Sequence, residues 1–136
     1  MNDSVCYVDG NFVPAGEARV SILDRGFTSR EGVYDVTRGY RHKLFKLDKH
    51  VARLYRSLRY TQIDCGMAPE KMTHLSIEVF ERNKHLLGAD EEFAVRQVIS
   101  RGAVGLPKVV VPATVAIFCV PVASKASPAA ISTASR

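Results

Sequence analysis

Two side chains on one predicted strand have the types and spacing for joint chemistry. From Gly32 to Tyr40 the residues Val33, Tyr34, Val36, Thr37 and Tyr40 are strand formers. Tyr34 and Arg38 occupy even positions and so share a face, where a hydroxyl and a guanidinium can converge on a carboxylate. Asp35 faces away. The plainer alternative makes Tyr34 and Val36 a buried stripe with Arg38 at its solvated edge. Further on, Arg53, Arg56 and Arg59 fall on one exposed side of a predicted helix, and periodicity alone does not choose among them. Arg96 and Arg101 stand five residues apart near a second strand and face opposite sides unless a bulge or turn intervenes. Cys6, Cys65 and Cys119 form no Cys-x-x-Cys and have no nearby histidine, which leaves them as buried thiols and gives no metal site or disulfide framework. Hydride transfer, metal chemistry and a nucleophilic serine find no support.

The elements that must position these groups follow from turn residues and periodicity. Asp9-Gly10-Asn11 between Val5, Tyr7 and the Phe12-Val13 pair predicts a tight hairpin. Val20-Ser21-Ile22-Leu23 reads as a strand running into an Asp24-Arg25-Gly26-Phe27 turn in which the glycine supplies a positive φ. A second hairpin joins Gly32–Tyr40 to Leu44-Phe45-Lys46-Leu47 through Arg41-His42-Lys43. Asp48 is the expected N-cap of a helix burying Leu47, Val51, Leu54 and Leu58. Pro69 opens another helix through about Lys84, with Met72, Leu75, Val79 and Phe80 inward and Gly88 just beyond its end. Glu92 to Ser100 and Thr114 to Val120 complete the strands, the latter expected to be buried on both faces.

Length and composition bound the rest. The 136 residues, 46% of them hydrophobic, suit one domain with its own core, expected over 1–122, with a small-residue tail over 123–136. Val109 to Ala123 is apolar but broken by Pro112 and Pro121, so no membrane span is expected, and the N-terminus lacks a secretory pattern. Three cysteines fit a reducing, cytoplasmic compartment. The net charge of +5 fits a phosphate-bearing small ligand as well as a nucleic acid, and no nucleic-acid-binding motif accompanies it.

Tyr7-Val8-Asp9-Gly10, Val20 through Phe27, Glu31 through Val36, Lys43 through Ser57 and Val95 through Gly102 together resemble the class IV aminotransferases, over roughly residues 5 to 122. The resemblance implies an α+β fold, a mostly antiparallel sheet with two helices on one face, as in that family's small N-terminal domain. It implies pyridoxal 5′-phosphate as cofactor and an amino acid with a 2-oxo acid as substrates, of the branched-chain or D-amino-acid type, handled by a homodimer. In His-x-x-Arg-Leu it selects Arg53 for the cofactor phosphate, a group matched by a planar, permanent charge, while His50 is structural. Tyr34, Arg38, Arg96 and Arg101 become the substrate-binding candidates; Arg96 matches the branched-chain pattern and Arg101 the D-amino-acid pattern. Arg53 and Tyr34 are then expected to line a common hollow.

The lysine that anchors the cofactor lies, in such enzymes, in a second domain, so no catalytic residue is expected among these 136. Lys125, in Ser-Lys-Ala-Ser-Pro, lacks the flanking pattern. Thr28-Ser29-Arg30-Glu31-Gly32 departs from the family's usual small segment before the strand. Two functions stay open: the N-terminal part of a transaminase, inactive alone, or a non-catalytic module binding phosphate ligands on the same domain.

Overall fold

A computed structural model describes residues 4–122. The tail and Lys125 lie outside them. Strands β1 (Val5–Val8) and β2 (Asn11–Pro14) form the first hairpin. Its turn carries positive φ at both Asp9 (45°) and Gly10 (100°), the pairing whose twist suits a two-residue connection. A short helix α1 (Arg25–Ser29) precedes β3 (Gly32–Tyr40), which turns at Arg41 and His42 into the brief β4 (Lys43–Leu44). Two longer helices, α2 (Leu47–Thr61) and α3 (Pro69–Asn83), lead to β5 (Phe93–Ser100) and β6 (Thr114–Pro121). All pairings are antiparallel and the order is β2-β1-β6-β5-β3-β4. The fold is therefore α+β.

Both long helices cover the same sheet face. Leu47, Val51, Leu54 and Leu58 of α2 and Met72, Val79 and Phe80 of α3 share one buried cluster with Tyr7, Val95, Ile99, Val115 and Ile117. Each fully buried aliphatic side chain there contributes about 1.5–3 kcal/mol. Leu75 packs only partly against this cluster, and Ser76 and Asn83 take buried places that an apolar count omits. Their polarity is satisfied locally: Gln97 donates to Ser76 Oγ at 3.0 Å, and Asn83 donates to Val5 O at 2.9 Å while accepting from Val5 N.

Four expectations are corrected. Val20-Ser21-Ile22-Leu23 is not a strand: these residues run through a turn with Ile22 76% exposed, and the nearest ladder contact is the single bridge of Asp24 to Ala103. Asp24 instead caps α1, accepting from Gly26 N at 2.8 Å. Gly26 is helical, and its glycine answers crowding, since a Cβ there would stand 2.8 Å from Ser100 Cβ. Helix α2 begins two residues earlier than an Asp48 N-cap would set it, capped by Lys46 in the left-handed region, and Asp48 sits in its first turn, where it favours the helix dipole. Finally, β6 is covered on one face only. Val115 and Ile117 are buried, while Ala116, Phe118 and Val120 share the open side with Tyr34, Val36 and Arg96. Of the thiols, Cys6 is buried and Cys65 and Cys119 are half-buried.

Candidate functional site

The site is organised by the free edge of β3. That strand pairs with β5 along Gly32–Arg38 but with β4 only at Gly39 and Tyr40, so its other edge is open before Gly39. Asp35 points to the helix side of this edge with its side chain 3% exposed. Its Oδ1 accepts from its neighbour's backbone, Val36 N, at 2.9 Å. From α2, Arg53 Nε donates to Oδ2 at 2.8 Å and Nη2 to Oδ1 at 3.0 Å, a two-pronged grip. His50 Nδ1 lies 2.7 Å from Oδ1. The carboxylate accepts only, so this nitrogen carries the proton. His50 and Arg53 are three residues apart on a helix and reach the same spot for that reason.

Burial pushes Asp35 upward, but the hydrogen bonds from Arg53 and His50 and their charges outweigh it and hold the carboxyl below the ordinary aspartate range. The same contact raises Arg53 above the usual guanidinium value. Although anchored at two nitrogens, Arg53 is 61% exposed, and its Nη1 makes no hydrogen bond among the described residues. One edge of a fixed cation thus faces outward.

The opposite sheet face carries the other candidates. Tyr34 and Arg38 project from the uncovered side of β3, and Arg96 projects between them from β5, where it is paired with Val36. The Arg96 guanidinium lies over the Tyr34 ring at 4.3 Å from its centroid, close enough for a cation–π contact. No carboxylate pairs with Arg38 or Arg96 among the described residues. The structure sets Arg96 against Tyr34, while Arg38 shares their sheet face four residues further along β3.

Arg101 is elsewhere. Its Nε donates to Glu31 at 2.8 Å, its Nη2 to Thr61 O at 2.9 Å and its Nη1 to Gln62 O at 3.4 Å, which ties the end of α2 to the start of β3. All its donor nitrogens are engaged within the chain, so its guanidinium acts as a clamp. The common hollow expected for Arg53 and Tyr34 is not formed either: the two lie on opposite sides of β3. A ligand touching both has to lie across the open edge of that strand.

Sequence reasoning missed Asp35 and His50 as members of the site. The available signal was a lone acid on the helix-facing side of a strand, which requires a cation, opposite a His-x-x-Arg pair that offers two donors. A second buried carboxylate, Asp24, accepts from Thr114 Oγ1 at 2.6 Å and from Gly26 N; burial raises it, but these bonds, with Ser100 and the Arg25 charge, hold it low.

The two depressed carboxyls make stability depend on acid. A folded-state pKa below the unfolded one contributes stability present above the unfolded value, near 3.8, and lost as pH falls through the folded value. Urea midpoints are therefore expected to be level between pH 7 and about 5 and to fall below about pH 4, each carboxyl adding at most about 1.4 kcal/mol per pH unit. Asp35→Asn and Asp24→Asn should each flatten that fall. A wild-type midpoint unchanged down to pH 3 would show that neither carboxylate is held low.

Known proteins match this arrangement in sequence and in fold. The sequence profile described as Amino-transferase class IV matches residues 32–135. D-alanine aminotransferase of Staphylococcus aureus (strain N315) is 34% identical over 95 residues, covering 70% of this chain and 34% of that protein. A putative branched-chain-amino-acid aminotransferase of Methanocaldococcus jannaschii is 31% identical over 71% of this chain and 32% of its own length. The chain thus spans about a third of these relatives. Among solved structures, the Escherichia coli branched-chain amino acid aminotransferase superposes with a TM-score of 0.77 at 18% identity, covering 94% of this chain and 42% of that one, a likeness of fold. The branched-chain aminotransferase of the thermophilic archaeon Thermoproteus uzoniensis, solved with norvaline, gives 0.70 at 25% identity over 88% and 41%. With the profile running through β3, the Asp35–Arg53 grip and the Arg96 strand alike, the chain belongs to the class IV aminotransferases.

Proposed function

We propose that this chain is the N-terminal part of a pyridoxal-phosphate-dependent aminotransferase, moving an amino group between an amino acid of the branched-chain or D-amino-acid type and a 2-oxo acid. The observation that carries this is the outward, doubly anchored edge of Arg53, across the open edge of β3 from a face bearing Tyr34, Arg38 and Arg96 without carboxylate partners among the described residues. Arg53 fits one corner of a phosphate dianion. Because Asp35 balances its charge, the phosphate needs further donors besides Arg53. Tyr34, Arg38 and Arg96 would orient the substrate carboxylate, while Arg101 keeps α2 against β3. Bound pyridoxal phosphate supplies the electron sink for the carbanion at the substrate α-carbon.

In this reading the working protein is a cytoplasmic homodimer. Three free thiols suit a reducing compartment. Val20, Ile22, Leu23 and Phe27 leave apolar surface, from 47% to 76% exposed, for another domain or subunit to cover. No helix among the described residues is long and apolar enough to cross a membrane.

The anchoring lysine belongs, on this proposal, to sequence beyond these 136 residues. Pyridoxal phosphate added to the chain, followed by borohydride reduction and peptide mapping, should give no stoichiometric pyridoxyl-lysine. A stoichiometric adduct at Lys125 would overturn that assignment. A non-catalytic phosphate-binding module on the same domain is the second reading, favoured by the anchored edge of Arg53, which serves phosphate binding whether or not catalysis follows. Phosphate-ester binding that persists in the natural protein without transamination would select it.

A further inference from the structure

We infer that Asp35 and His50 are positioning residues that set the direction of Arg53, so that the site presents one guanidinium edge to a phosphate instead of a freely turning cation. This rests on the proposed role of Arg53 as a phosphate contact.

Three geometric facts carry the inference. Arg53 is exposed, and an exposed arginine ordinarily samples many rotamers, a freedom it must lose on gripping a ligand. Here Nε and Nη2 are already fixed on a carboxylate that is itself 3% exposed and held by Val36 N, so the anchor cannot swing. The His50 ring, its side chain 27% exposed, closes the remaining approach to Oδ1 at 2.7 Å and has no hydrogen-bond partner outside this cluster among the described residues. The contrast within α2 is internal: Arg56 and Arg59 are likewise exposed and form no ion pair among the described residues. Of these three arginines of α2, the one opposite Asp35 is directed.

The arrangement separates two roles that a buried acid beside a cation could play. As a counter-charge alone, Asp35 would weaken anion binding, and removing its charge would tighten it. As a positioning group, it lowers the ordering cost of binding, and its removal loosens the complex.

The test uses the 136-residue chain with pyridoxamine 5′-phosphate as probe and pyridoxamine, which lacks the phosphate, as control. In the ¹H–¹⁵N spectrum the Arg53 Nε–H should give a slowly exchanging resonance distinct from those of Arg56 and Arg59, lost in Asp35→Asn and restored in Asp35→Glu. Asp35→Asn should weaken the phosphate probe roughly tenfold while leaving pyridoxamine unchanged, and His50→Ala should weaken it less. In an Arg53→Ala background, Asp35→Asn should have no further effect, a coupling that a merely structural role would not produce. An Arg53 resonance that exchanges like those of Arg56 and Arg59, or unchanged or tighter probe binding in Asp35→Asn, would overturn the inference. If Arg53→Ala leaves probe affinity unchanged although the natural sequence shows the protected Arg53 resonance, the phosphate role of Arg53 fails, and the directed geometry stands without its ligand.

Discussion

Arg53→Ala is expected to weaken binding of pyridoxamine 5′-phosphate by roughly ten- to a hundredfold, the range for a charge-assisted hydrogen bond to a phosphate. The loss should be confined to ligands that carry the phosphate. Arg53→Lys should recover only part of it, because an ammonium retains the charge but cannot hold Asp35 through two parallel donors while offering a third to the ligand. Thermal stability should fall as well, because the buried Asp35 carboxylate loses the cation that holds it, so affinities are compared at a temperature where all the proteins are folded. Calorimetric titration of the three proteins with the phosphorylated and unphosphorylated amines separates these effects. Equal weakening toward both amines would mean that the substitution had damaged the fold, and no weakening toward either would remove Arg53 from the site.

The parts of this fold that a sequence exposes are those in which one local rule decides. The stripe Leu47, Val51, Leu54 and Leu58 is buried as its spacing requires, and Asp9-Gly10 turns where two positive φ values are needed. Strand β3 could be placed, and with it the shared face of Tyr34 and Arg38, because alternation follows from extended backbone alone. Propensity misleads where no partner is supplied. Val20, Ile22 and Leu23 are apolar and open to strand pairing, yet no strand among the described residues lies beside them, and their backbone closes a turn before Asp24 caps α1. Apolar content misleads in the same manner at β6: Phe118 and Val120 suggest burial on both faces, but both long helices lie on the other side of the sheet.

For the site, residue types were legible and their pairings were not. Nothing local distinguishes Arg53 from Arg56 and Arg59. The difference lies in Asp35, eighteen residues earlier, on a strand whose free edge meets α2. Arg101 shows the converse. Its chemistry suits a carboxylate, but Glu31 and the last turn of α2 reach it first. Long-range contacts of this kind depend on strand order, which periodicity leaves undetermined.

Gly102→Ala is expected to be the most destabilising single methyl addition in the chain, by about 3 kcal/mol or more. Two costs coincide at this position. Its φ is +92°, a conformation in which any Cβ is strained, and that Cβ would press into the carbonyl oxygens of Val111 and Pro112, which belong to backbone and cannot rotate away. The damage would spread along named contacts. Gly102 O accepts from Arg25 N at 2.8 Å and from Arg25 Nε at 3.0 Å, and Gly102 N donates to Ser100 Oγ at 3.1 Å, so the residue joins α1 to the end of β5. Its neighbour Arg101 holds the last turn of α2 and thereby the helix that carries Arg53. Gly105 provides the control: it sits in the same loop, and a Cβ there would meet nothing closer than 3.8 Å. Gly105→Ala should fall within about 0.5 kcal/mol of the natural sequence. Urea denaturation of both variants makes the comparison, and a Gly102→Ala midpoint equal to that of Gly105→Ala would mean that the β5–β6 connection does not take the course described.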